Sequence, residues 1–454
     1  MSAQAPVTLL GAGLAGSLLA VYLARRDHEV VVYERLPDMR RHEIPAGRSI
    51  NLALAHRGIR ALDTVGLMSE VQKLLIPMRG RMLHDKEGAT SLTPYGRTPT
   101  EVIYSVSRPG LNMLLMDAAE KAGARFHFGQ RVTDVDFDSS QVSLVEEPGG
   151  RRHSIHAGTL IATDGGGSAV RQAMLRRRGV KVVEDLLPHA YKELTIPAAA
   201  GGGHRMEKHA LHIWPRGGYM LIALPNLDGS FTVTLFLARE GAPSFAKLEE
   251  PGELQRFFST EFPDALALIP ELERDFRSHP TGLMGTVHTE RWHVDGGTLL
   301  LGDAAHAIVP FHGQGMNCAF EDCLVLDECL SRHGEDWGKV FPEFEVQRRP
   351  NAEAIAAMAL ENYVEMRDAV RDPKFMLQKK LGFLLEERNP GMFVPRYSMV
   401  MFHHLPYSDA RHRGAIQQRI LDSLTAGITD VAQIDLAKAD AAVRAELGGL
   451  DPVR

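Results

Sequence analysis

The first part of the chain alternates short apolar runs with helical periodicity. Val7–Leu10 and Val30–Tyr33 are apolar runs that predict buried strands, and a helical pattern to about Arg26 lies between them. Thr159–Thr163 and Thr298–Leu301 are two further runs of the same kind. Buried strands separated by helices are typical of a mostly parallel sheet that is covered on both faces.

The middle of the chain, from Tyr191 to about His288, is rich in strand patterns. Short turns at Pro215–Gly218 and Asn226–Gly229 separate its apolar segments. The predicted strands are Ala210–Trp214, Tyr219–Leu224 and Phe231–Leu237. Because the turns are short, these strands are expected to form an antiparallel meander.

From Met316 onward the pattern is almost wholly helical. Within Asn351–Val370, an apolar stripe is formed by Ile355, Met358, Ala359 and Met366. Asn362 falls on this stripe, and a buried amide without partners costs about 1–3 kcal/mol. Its side chain therefore either makes a structural hydrogen bond in the core or contacts a ligand, and the pattern does not separate the two.

Composition excludes several classes of protein. The chain has 454 residues, 44% of them hydrophobic and 24% charged, with a net charge of −6, which argues against a nucleic-acid binder. Thr8–Ala24 is uncharged but shorter than the roughly 20 residues that a membrane span needs. No targeting segment is recognised, so we expect a cytoplasmic protein that does not bind a membrane.

No metal site is predicted. Cys318, Cys323 and Cys329 lie in one predicted helix without metal-ligand spacing and are expected to be reduced thiols packed as small hydrophobes. The pair His403-His404 has no spaced carboxylate or cysteine partner.

A glycine turn follows the first predicted strand. Gly11, Gly13 and Gly16 form the pattern G-x-G-x-x-G, and Glu34 ends the next strand 18 residues after Gly16. Glycines at these positions allow a tight turn and let the backbone approach a pyrophosphate closely. The carboxylate of Glu34 can accept hydrogen bonds from ribose hydroxyls. The arrangement predicts a dinucleotide site.

Two further glycine–acid pairs follow buried strands. Asp164-Gly165 comes after Thr159–Thr163, and Gly302-Asp303 comes after Thr298–Leu301. The second pair opens the stretch Leu299–Asn317, where a helix start is predicted near Met316. Glycine lets the backbone pass close to a ligand, and a helix start presents unpaired N–H groups to an anion or an electron-rich ring edge.

Together, the three glycine–acid pieces resemble the pattern of the class A flavoprotein monooxygenases. The closer resemblance is to the kynurenine 3-monooxygenase family within that class. It is carried by the segments Gly47–Leu54, Gly80–Asp85, Pro94–Gly96, Ser105–Arg108, His212–Arg216, Thr232–Phe236, Gly302–Asn317, Glu361–Arg367 and Pro395–Met399.

The resemblance implies the following site residues. The substrate carboxylate would be bound by Arg81, Tyr95, Asn362 and Tyr397. The apolar walls of the substrate pocket would be Leu211, Ile222, Leu224, Phe236, Pro310 and Phe311. FAD would be contacted by Gly11, Gly13, Ala15, Gly16, Glu34, Ala53, Arg108, Asp164, Asp303, Gly315, Met316 and Asn317. Position 312 is His where some members carry Phe, and no chemical role is assigned to His312.

The implied activity is hydroxylation of L-kynurenine at ring position 3 in tryptophan catabolism. It would use non-covalent FAD, transient NADPH and O2, by way of a flavin C4a-hydroperoxide. The flavin carries this chemistry, so no side chain is predicted as catalytic. The alternatives are a hydroxylase for another aromatic acid, an NAD-dependent dehydrogenase that would leave the last two glycine–acid pairs unexplained, and a non-enzymatic FAD-binding protein.

The predicted fold class is α/β, with a Rossmann-like FAD-binding domain, an antiparallel substrate-domain sheet and a helical C-terminal region. The expected FAD-binding domain is discontinuous and covers residues 1–70, 100–185 and 285–330. The substrate domain would cover 71–99 and 186–284, and the helical region 331–454. The resemblance also leaves room for a homodimer.

Overall fold

The computed structural model of the chain describes residues 5–42, 51–96, 98–368 and 372–450, without the side chains of 366–368. Part of the motif Gly47–Leu54, the end of the predicted helix Asn351–Val370 and the side chain of Met366 lie outside the described residues.

The strands are β1 Val7–Leu10, β2 Val30–Tyr33, β3 Leu52–Leu54, β4 Leu75–Met78, β5 Gly80–His84, β6 Thr90–Pro94, β7 Ile103–Val106, β8 Arg125–His127, β9 Gln130–Asp136, β10 Gln141–Glu146, β11 Arg152–His156, β12 Thr159–Ala162, β13 Val182–Ile196, β14 Ala210–Pro215, β15 Met220–Pro225, β16 Phe231–Ala238, β17 Gly282–Thr289, β18 His293–Val294 and β19 Thr298–Leu300.

The helices are α1 Leu14–Ala24, α2 His56–Thr64, α3 Met68–Val71, α4 Arg108–Lys121, α5 Ala169–Arg178, α6 Phe245–Leu248, α7 Glu253–Glu261, α8 Pro263–Leu266, α9 Leu272–Ser278, α10 Asp303–His306, α11 Gly315–His333, α12 Trp337–Asp368, α13 Pro373–Arg388, α14 Arg396–Phe402, α15 Tyr407–Leu424 and α16 Leu436–Glu446.

A six-stranded sheet has the order β18-β19-β12-β1-β2-β8. Its pairs are parallel except for β18 with β19, and Val7 of β1 lies opposite both Val30 and Thr159. Helices α1, α4 and α11 pack together beside it. Every residue of β1 is buried, because a strand covered on both faces carries apolar side chains at each position.

A seven-stranded sheet has the order β17-β13-β16-β15-β14-β5-β6. The predicted meander is its centre: β14 pairs antiparallel with β15, and β15 with β16. Small sheets complete the strand arrangement: β11-β10-β9 and β3-β7-β4. The mixture of a parallel-rich sheet, an antiparallel sheet and C-terminal helices confirms the predicted α/β class.

The region between β16 and β17 differs from the strand-rich pattern predicted from Tyr191 to His288. It forms the short helices α6 to α9, whose apolar residues pack on one face of the seven-stranded sheet. Phe258 and Phe262 lie one helical turn apart, and both are fully buried in this cluster. Helical spacing of the aromatic residues therefore overrides the strand patterns that flank this region.

The C-terminal part is helical, as predicted. The long helix α12 contains Pro342 and Pro350, and a separate apolar cluster joins α13, α15 and α16. All three cysteines are buried and unpaired in α11. Among the described residues, no helix combines the length and the apolar character that crossing a membrane requires.

Candidate functional site

The three glycine–acid pieces and Glu34 lie at one edge of the six-stranded sheet. They follow the carboxyl ends of β1, β2, β12 and β19, which are neighbours in the order β19-β12-β1-β2. A Cβ added to Gly11 would lie 3.0 Å from the Cα of Asp164, and one added to Gly302 would lie 3.5 Å from the Cβ of Ala15. The pieces are therefore in contact with one another, although they are far apart in sequence.

The glycine turn leaves one position open. A Cβ at Gly16 would lie 2.0 Å from the carbonyl oxygen of Gly11, so Gly16 is needed for close packing of the turn. A Cβ at Gly13, which caps the N-terminus of α1, would meet no atom of the described residues within 4 Å. Open space before the unpaired N–H groups of a helix start fits a pyrophosphate.

Glu34 is held in place by the backbone. Its Oε2 accepts a hydrogen bond from the N–H of Ala12 at 2.8 Å, and its Oε1 accepts one from Leu36 at 2.8 Å. Each carboxylate oxygen retains a lone pair, so the side chain can still accept from ribose hydroxyls.

Asp164 and Asp303 differ in their surroundings. Asp164 accepts from the N–H of Ala169 at 2.8 Å at the start of α5, and burial raises the pKa of its carboxyl. Its other oxygen is buried without a hydrogen-bond partner among the described residues. Asp303 begins α10 after Gly302 (φ +63°), and its side chain is exposed.

The remaining predicted FAD contacts occupy the start of α11 and nearby strands. Gly315 and Met316 begin α11. The side chain of Asn317 accepts from the N–H of Ala55 and donates to the carbonyl of Ala53, both at 2.9 Å. Asn317 thus joins α11 to β3. Arg108 is exposed at the start of α4, where its charge acts on Tyr191.

Arg81 on β5 lies beside two tyrosine rings. Its guanidinium carbon is 5.7 Å from the ring centroid of Tyr95 and 4.7 Å from that of Tyr397. The two rings stack with their centroids 5.7 Å apart. The hydroxyl of Tyr95 is buried without a hydrogen-bond partner in the described part of the chain. An orphaned donor beside a guanidinium is suited to a carboxylate ligand.

The charge of Arg81 is preserved. Burial alone would lower the pKa of its guanidinium, but Tyr397, Tyr95 and Glu365 raise that pKa above its ordinary value. Sequence reasoning did not single out Glu365. Glu365 lies three residues after Asn362 on α12, a spacing that places the two side chains on one helix face. This spacing is the feature of the sequence that could have pointed to Glu365.

A one-turn helix at Pro310–His312 closes the other side of this group. The ring of His312 stacks on Tyr397 at 5.5 Å between centroids, and its buried Nδ1 has no hydrogen-bond partner among the described residues. Burial lowers the pKa of His312 to about 3, and the charge of Arg81 also lowers it. The imidazole is therefore neutral at physiological pH.

Asn362 and Tyr363 on α12 hold this turn. The side-chain amide of Asn362 donates to the carbonyl of Phe311 at 2.6 Å, and the rings of Tyr363 and Phe311 stack at 4.3 Å. The structural role that the sequence allowed for Asn362 is therefore present. Its contact with a ligand stays a prediction.

The predicted apolar wall residues of the sheet share one face. Residues that are paired across a sheet point to the same side. Ile222 pairs with Ile213, Leu211 pairs with Arg81, and Phe236 pairs with Met220. Leu211, Ile222 and Leu224 pack in one apolar cluster with Tyr95 and Tyr397. Phe236 lies 5.1 Å from Phe311, and Pro310 is the exposed member of the group.

One group of potential metal ligands is already bound to the guanidinium of a buried arginine. His306, Cys318 and Asp322 present ligand atoms within 4.8 Å of one another. The guanidinium of Arg348 donates to Asp322 at 2.6 Å and to the sulfur of Cys318 at 3.4 Å. A buried cation thus already occupies this position.

Comparison with known proteins agrees with the geometry. The family described as "FAD binding domain" matches residues 4–358. A kynurenine 3-monooxygenase of Myxococcus xanthus (strain DK1622) is 52% identical over 442 residues, which is 97% of this chain and 95% of that relative. One of Xanthomonas axonopodis pv. citri is 51% identical over 448 residues, covering 99% and 98%.

Solved structures share the fold at low identity. The tetrameric form of 2-methyl-3-hydroxypyridine-5-carboxylic acid oxygenase has a TM-score of 0.63 at 19% identity, covering 80% of this chain and 93% of that one. PqsL of P. aeruginosa in complex with 2-aminobenzoylacetate has a TM-score of 0.64 at 20% identity, covering 80% and 97%. On the evidence of its sequence relatives and of the matching family, the chain belongs to the kynurenine 3-monooxygenase family of FAD-binding monooxygenases.

Proposed function

We propose that this protein hydroxylates L-kynurenine at ring position 3, with FAD as bound cofactor and NADPH and O2 as co-substrates. The observation that carries the proposal is the charged guanidinium of Arg81 at the edge of an apolar wall. Among the described residues it forms no ion pair with a carboxylate, and it is flanked by the orphaned hydroxyl of Tyr95. An amino acid with an aromatic side chain matches both parts of this site.

In the proposed complex, Arg81 binds the substrate carboxylate through two parallel hydrogen bonds. A planar guanidinium fixes the orientation of a carboxylate as well as its position. The hydroxyls of Tyr95 and Tyr397 donate to the remaining lone pairs of that carboxylate. The α-ammonium group of the substrate lies toward Glu365, whose charge already acts on Arg81.

The aromatic ring of the substrate packs against Leu211, Ile222, Leu224 and Phe236 on the sheet. Phe311 lies across from this wall, and Asn362 holds its backbone carbonyl at 2.6 Å. Apolar walls exclude water from the reacting ring. When bound, FAD would supply the oxygen-transfer chemistry, with NADPH as the reductant and O2 as the source of the oxygen atom that enters the ring and of the one that leaves as water.

The glycine turn, Glu34 and Asp303 would hold FAD. The open space at Gly13 would take the pyrophosphate, Glu34 the ribose of the adenosine half, and the exposed Asp303 the ribityl chain. The start of α11 at Gly315, Met316 and Asn317 would lie against the flavin ring. The domain bounds, the cytoplasmic location and the homodimer predicted from the sequence stay predictions.

Product analysis tests the proposal. Purified protein is mixed with FAD, NADPH and L-kynurenine in air, and we expect 3-hydroxy-L-kynurenine together with kynurenine-dependent NADPH oxidation. If another aromatic amino acid is hydroxylated and kynurenine is not, the proposed substrate is wrong and that amino acid takes its place. Yellow protein that forms no product from any aromatic acid would favour the non-enzymatic FAD-binding alternative. Arg81→Ala, assayed in parallel, should keep FAD and lose the response to kynurenine.

A further inference from the structure

A buried amide, that of Gln314, lies in the short segment that joins the Pro310–His312 turn to α11. Gln314 is fully buried, and so is Tyr407, which begins α15. The hydroxyl of Tyr407 donates to the Oε1 of Gln314 at 2.7 Å, and the Nε2 of Gln314 donates to the sulfur of Met401 on α14 at 2.9 Å. The C-terminal helices therefore bind both ends of this amide.

Donor and acceptor roles fix the orientation of the amide. Burial raises the pKa of the Tyr407 phenol well above its usual value, so the hydroxyl keeps its proton and donates. An amide oxygen only accepts, and a thioether sulfur is a weak acceptor without a proton to donate. The reversed amide would turn its oxygen toward the sulfur of Met401, and two acceptors would face each other. The observed orientation pairs a donor with an acceptor at both contacts.

Tyr407 is itself held through the face of its ring. The guanidinium carbon of Arg57, on α2, lies 3.8 Å from the centroid of this ring. Arg57 donates to Glu321 of α11 at 2.6 Å and to the backbone carbonyl of Leu405, which precedes α15. A cation over an aromatic face attracts the ring, and these hydrogen bonds fix the cation. The hydroxyl of Tyr407 therefore has a defined position from which it holds Gln314.

The place of Gln314 in the chain gives this contact its consequence. Two residues before it lies His312, whose ring stacks on Tyr397, and the next residue, Gly315, begins α11. A buried amide costs free energy unless it is hydrogen-bonded, whereas an apolar side chain of similar size has no such requirement. Hydrogen bonds are directional, and a satisfied buried network holds its members in one arrangement. The contact therefore fixes the backbone between His312 and α11.

We propose that Tyr407 is a positioning residue that holds the segment 311–317, through Gln314, so that the substrate ring and the flavin keep a fixed separation. This inference rests on the proposed function, in which Phe311 lies across from the substrate ring. In that function, Met316 and Asn317 lie against the flavin. One continuous segment then touches both reacting partners, and a displacement on the order of 1 Å between reacting groups can lower a rate by about a hundredfold.

The proposal separates product formation from consumption of NADPH. In the coupled reaction, NADPH, a proton, O2 and kynurenine give NADP⁺, water and the hydroxylated product. When the segment 311–317 shifts, the ring is misaligned, and NADPH, a proton and O2 give NADP⁺ and hydrogen peroxide while kynurenine stays unchanged. The carboxylate is still bound by Arg81. Loss of the Tyr407 hydroxyl should therefore lower the kcat for hydroxylation more than it changes the KM for kynurenine.

The first test compares two variants that lose the same chemical group. Tyr407→Phe removes the hydroxyl that holds Gln314. Tyr22→Phe, the control, removes a buried hydroxyl of α1 that donates to the carbonyl of Ala61 in α2 at 2.6 Å. In Tyr407→Phe, product per NADPH should fall, hydrogen peroxide should rise, and kcat for hydroxylation should drop by up to about a hundredfold. The control should stay coupled. Wild-type coupling in Tyr407→Phe would overturn the proposal.

The second test separates positioning from a general loss of stability. Tyr407→Phe leaves the amide oxygen of Gln314 buried and unpaired, which lowers stability. In the double variant Tyr407→Phe, Gln314→Met both partners are apolar, so stability against denaturant should return toward that of wild type. Coupling should stay low, because the directional contact is still missing. Coupling that returns together with stability would show a merely structural contact. The double variant also carries the coupling measurement if Tyr407→Phe does not fold.

A third measurement needs neither FAD nor kynurenine. In FAD-free protein, Tyr407→Phe should speed hydrogen exchange at the N–H of Gly313, which donates to Pro310 at 2.9 Å, and at that of Cys318, which donates to Gln314 at 2.8 Å. The Tyr22→Phe control should not, and unchanged exchange in Tyr407→Phe would overturn the inference. If wild-type protein does not hydroxylate kynurenine, the proposed function fails, and this measurement still decides whether Tyr407 holds the segment.

Discussion

At the scale of single residues, the site combines buried groups whose protonation is set by their surroundings. Arg81 keeps its charge because Tyr397, Tyr95 and Glu365 offset the effect of burial on its pKa. His312, which stacks on Tyr397, stays neutral because burial lowers its pKa to about 3. One cation and one neutral imidazole thus lie within a single small group of rings.

Removing the guanidinium of Arg81 should weaken kynurenine binding by roughly tenfold to a hundredfold or more, because charge-assisted hydrogen bonds contribute about 1.5–3 kcal/mol. Arg81→Lys should restore only part of the affinity, since a point charge does not reproduce the planar fork. Titration of FAD-loaded protein with kynurenine measures the effect. Arg79→Ala, an exposed neighbour, should bind normally. Wild-type affinity in Arg81→Ala would show that another group binds the carboxylate.

His312 should make the folded protein sensitive to acid. Between the ordinary value of 6.5 and about 3, the unfolded chain protonates this histidine while the folded protein does not. The free energy of unfolding should therefore fall as pH falls through this window, by up to about 1.4 kcal/mol per pH unit for each such histidine. Denaturant unfolding at several pH values should show a shallower slope in His312→Gln than in wild type. An equal slope would contradict the prediction.

At the scale of elements, two glycines of the turn before α1 differ in whether packing of the protein itself requires glycine. Gly16 is needed by the protein itself, because its hydrogen atom faces the carbonyl oxygen of Gly11. Among the described residues, no atom lies within 4 Å of a Cβ added to Gly13, so the packing of the turn does not itself require glycine there.

The pair Gly13→Ala and Gly16→Ala tests this separation. Gly13→Ala should fold with wild-type stability and lose affinity for FAD, because the added methyl group enters the space proposed for the pyrophosphate. Gly16→Ala should unfold more easily even without FAD, since the added atom overlaps the turn. Thermal unfolding of the FAD-free proteins and fluorescence titration with FAD measure both. If Gly13→Ala binds FAD as tightly as the wild-type protein does, the pyrophosphate does not bind at this position.

Helices α11 and α12 are joined by a buried ionic network. Arg348 donates to Asp322 at 2.6 Å, and Asp322 also accepts from the N–H of Gly302 at 3.1 Å. Arg348 also donates to Glu321 at 2.5 Å. These contacts link α12 to the Gly302 turn, whose aspartate is proposed to hold the ribityl chain.

Breaking this network should be costly. Arg348→Met removes the cation from the buried Asp322, which keeps only the imidazole of His306, at 2.7 Å, as a side-chain partner among the described residues. Glu321 keeps its ion pair with Arg57 at 2.6 Å. Breaking a buried ion pair on one side typically costs about 3–5 kcal/mol. Arg349→Met, one residue further, removes a half-exposed side chain whose ion pairs are 3.8 and 3.9 Å long, and should cost less than about 1 kcal/mol. Denaturant unfolding of both variants gives the comparison. Similar losses in the two would mean that the network contributes little.

At the scale of the whole molecule, the proposed substrate site is assembled from distant segments. Arg81 comes from a sheet strand, Phe311 and His312 from a turn after the parallel sheet, and Tyr397 from a C-terminal helix. A substrate that touches all of them would restrain all of them together.

Hydrogen exchange should report this joint restraint. Kynurenine added to FAD-loaded protein should slow exchange in β5, in Pro310–His312 and in α14 at once. FAD added alone should slow exchange mainly in the glycine turn and the start of α11. Protection by kynurenine that is confined to one of the three segments would contradict the proposed site.

Part of the fold and of the candidate site could be predicted from the sequence. The strand–glycine turn–helix unit, the meander and the helical C-terminal region were predicted and confirmed, because each depends on neighbouring residues. The helices α6 to α9 were not separated from the strands around them. The structure brings together Arg81, Tyr95 and Tyr397, and it also brings the glycine–acid pieces together, while contacts of the predicted site residues with ligands stay predictions.

The sequence by itself determined the α/β class, the family and the dinucleotide turn, because local periodicity and short motifs encode them. Tertiary structure decided which side chains meet. Asn362 reaches Phe311 only because α12 crosses the Pro310–His312 turn, and His84 meets Asp264 across 180 residues of chain. Such contacts depend on strand register and helix crossing, which arise from packing of the whole core and leave no periodic signal in the sequence.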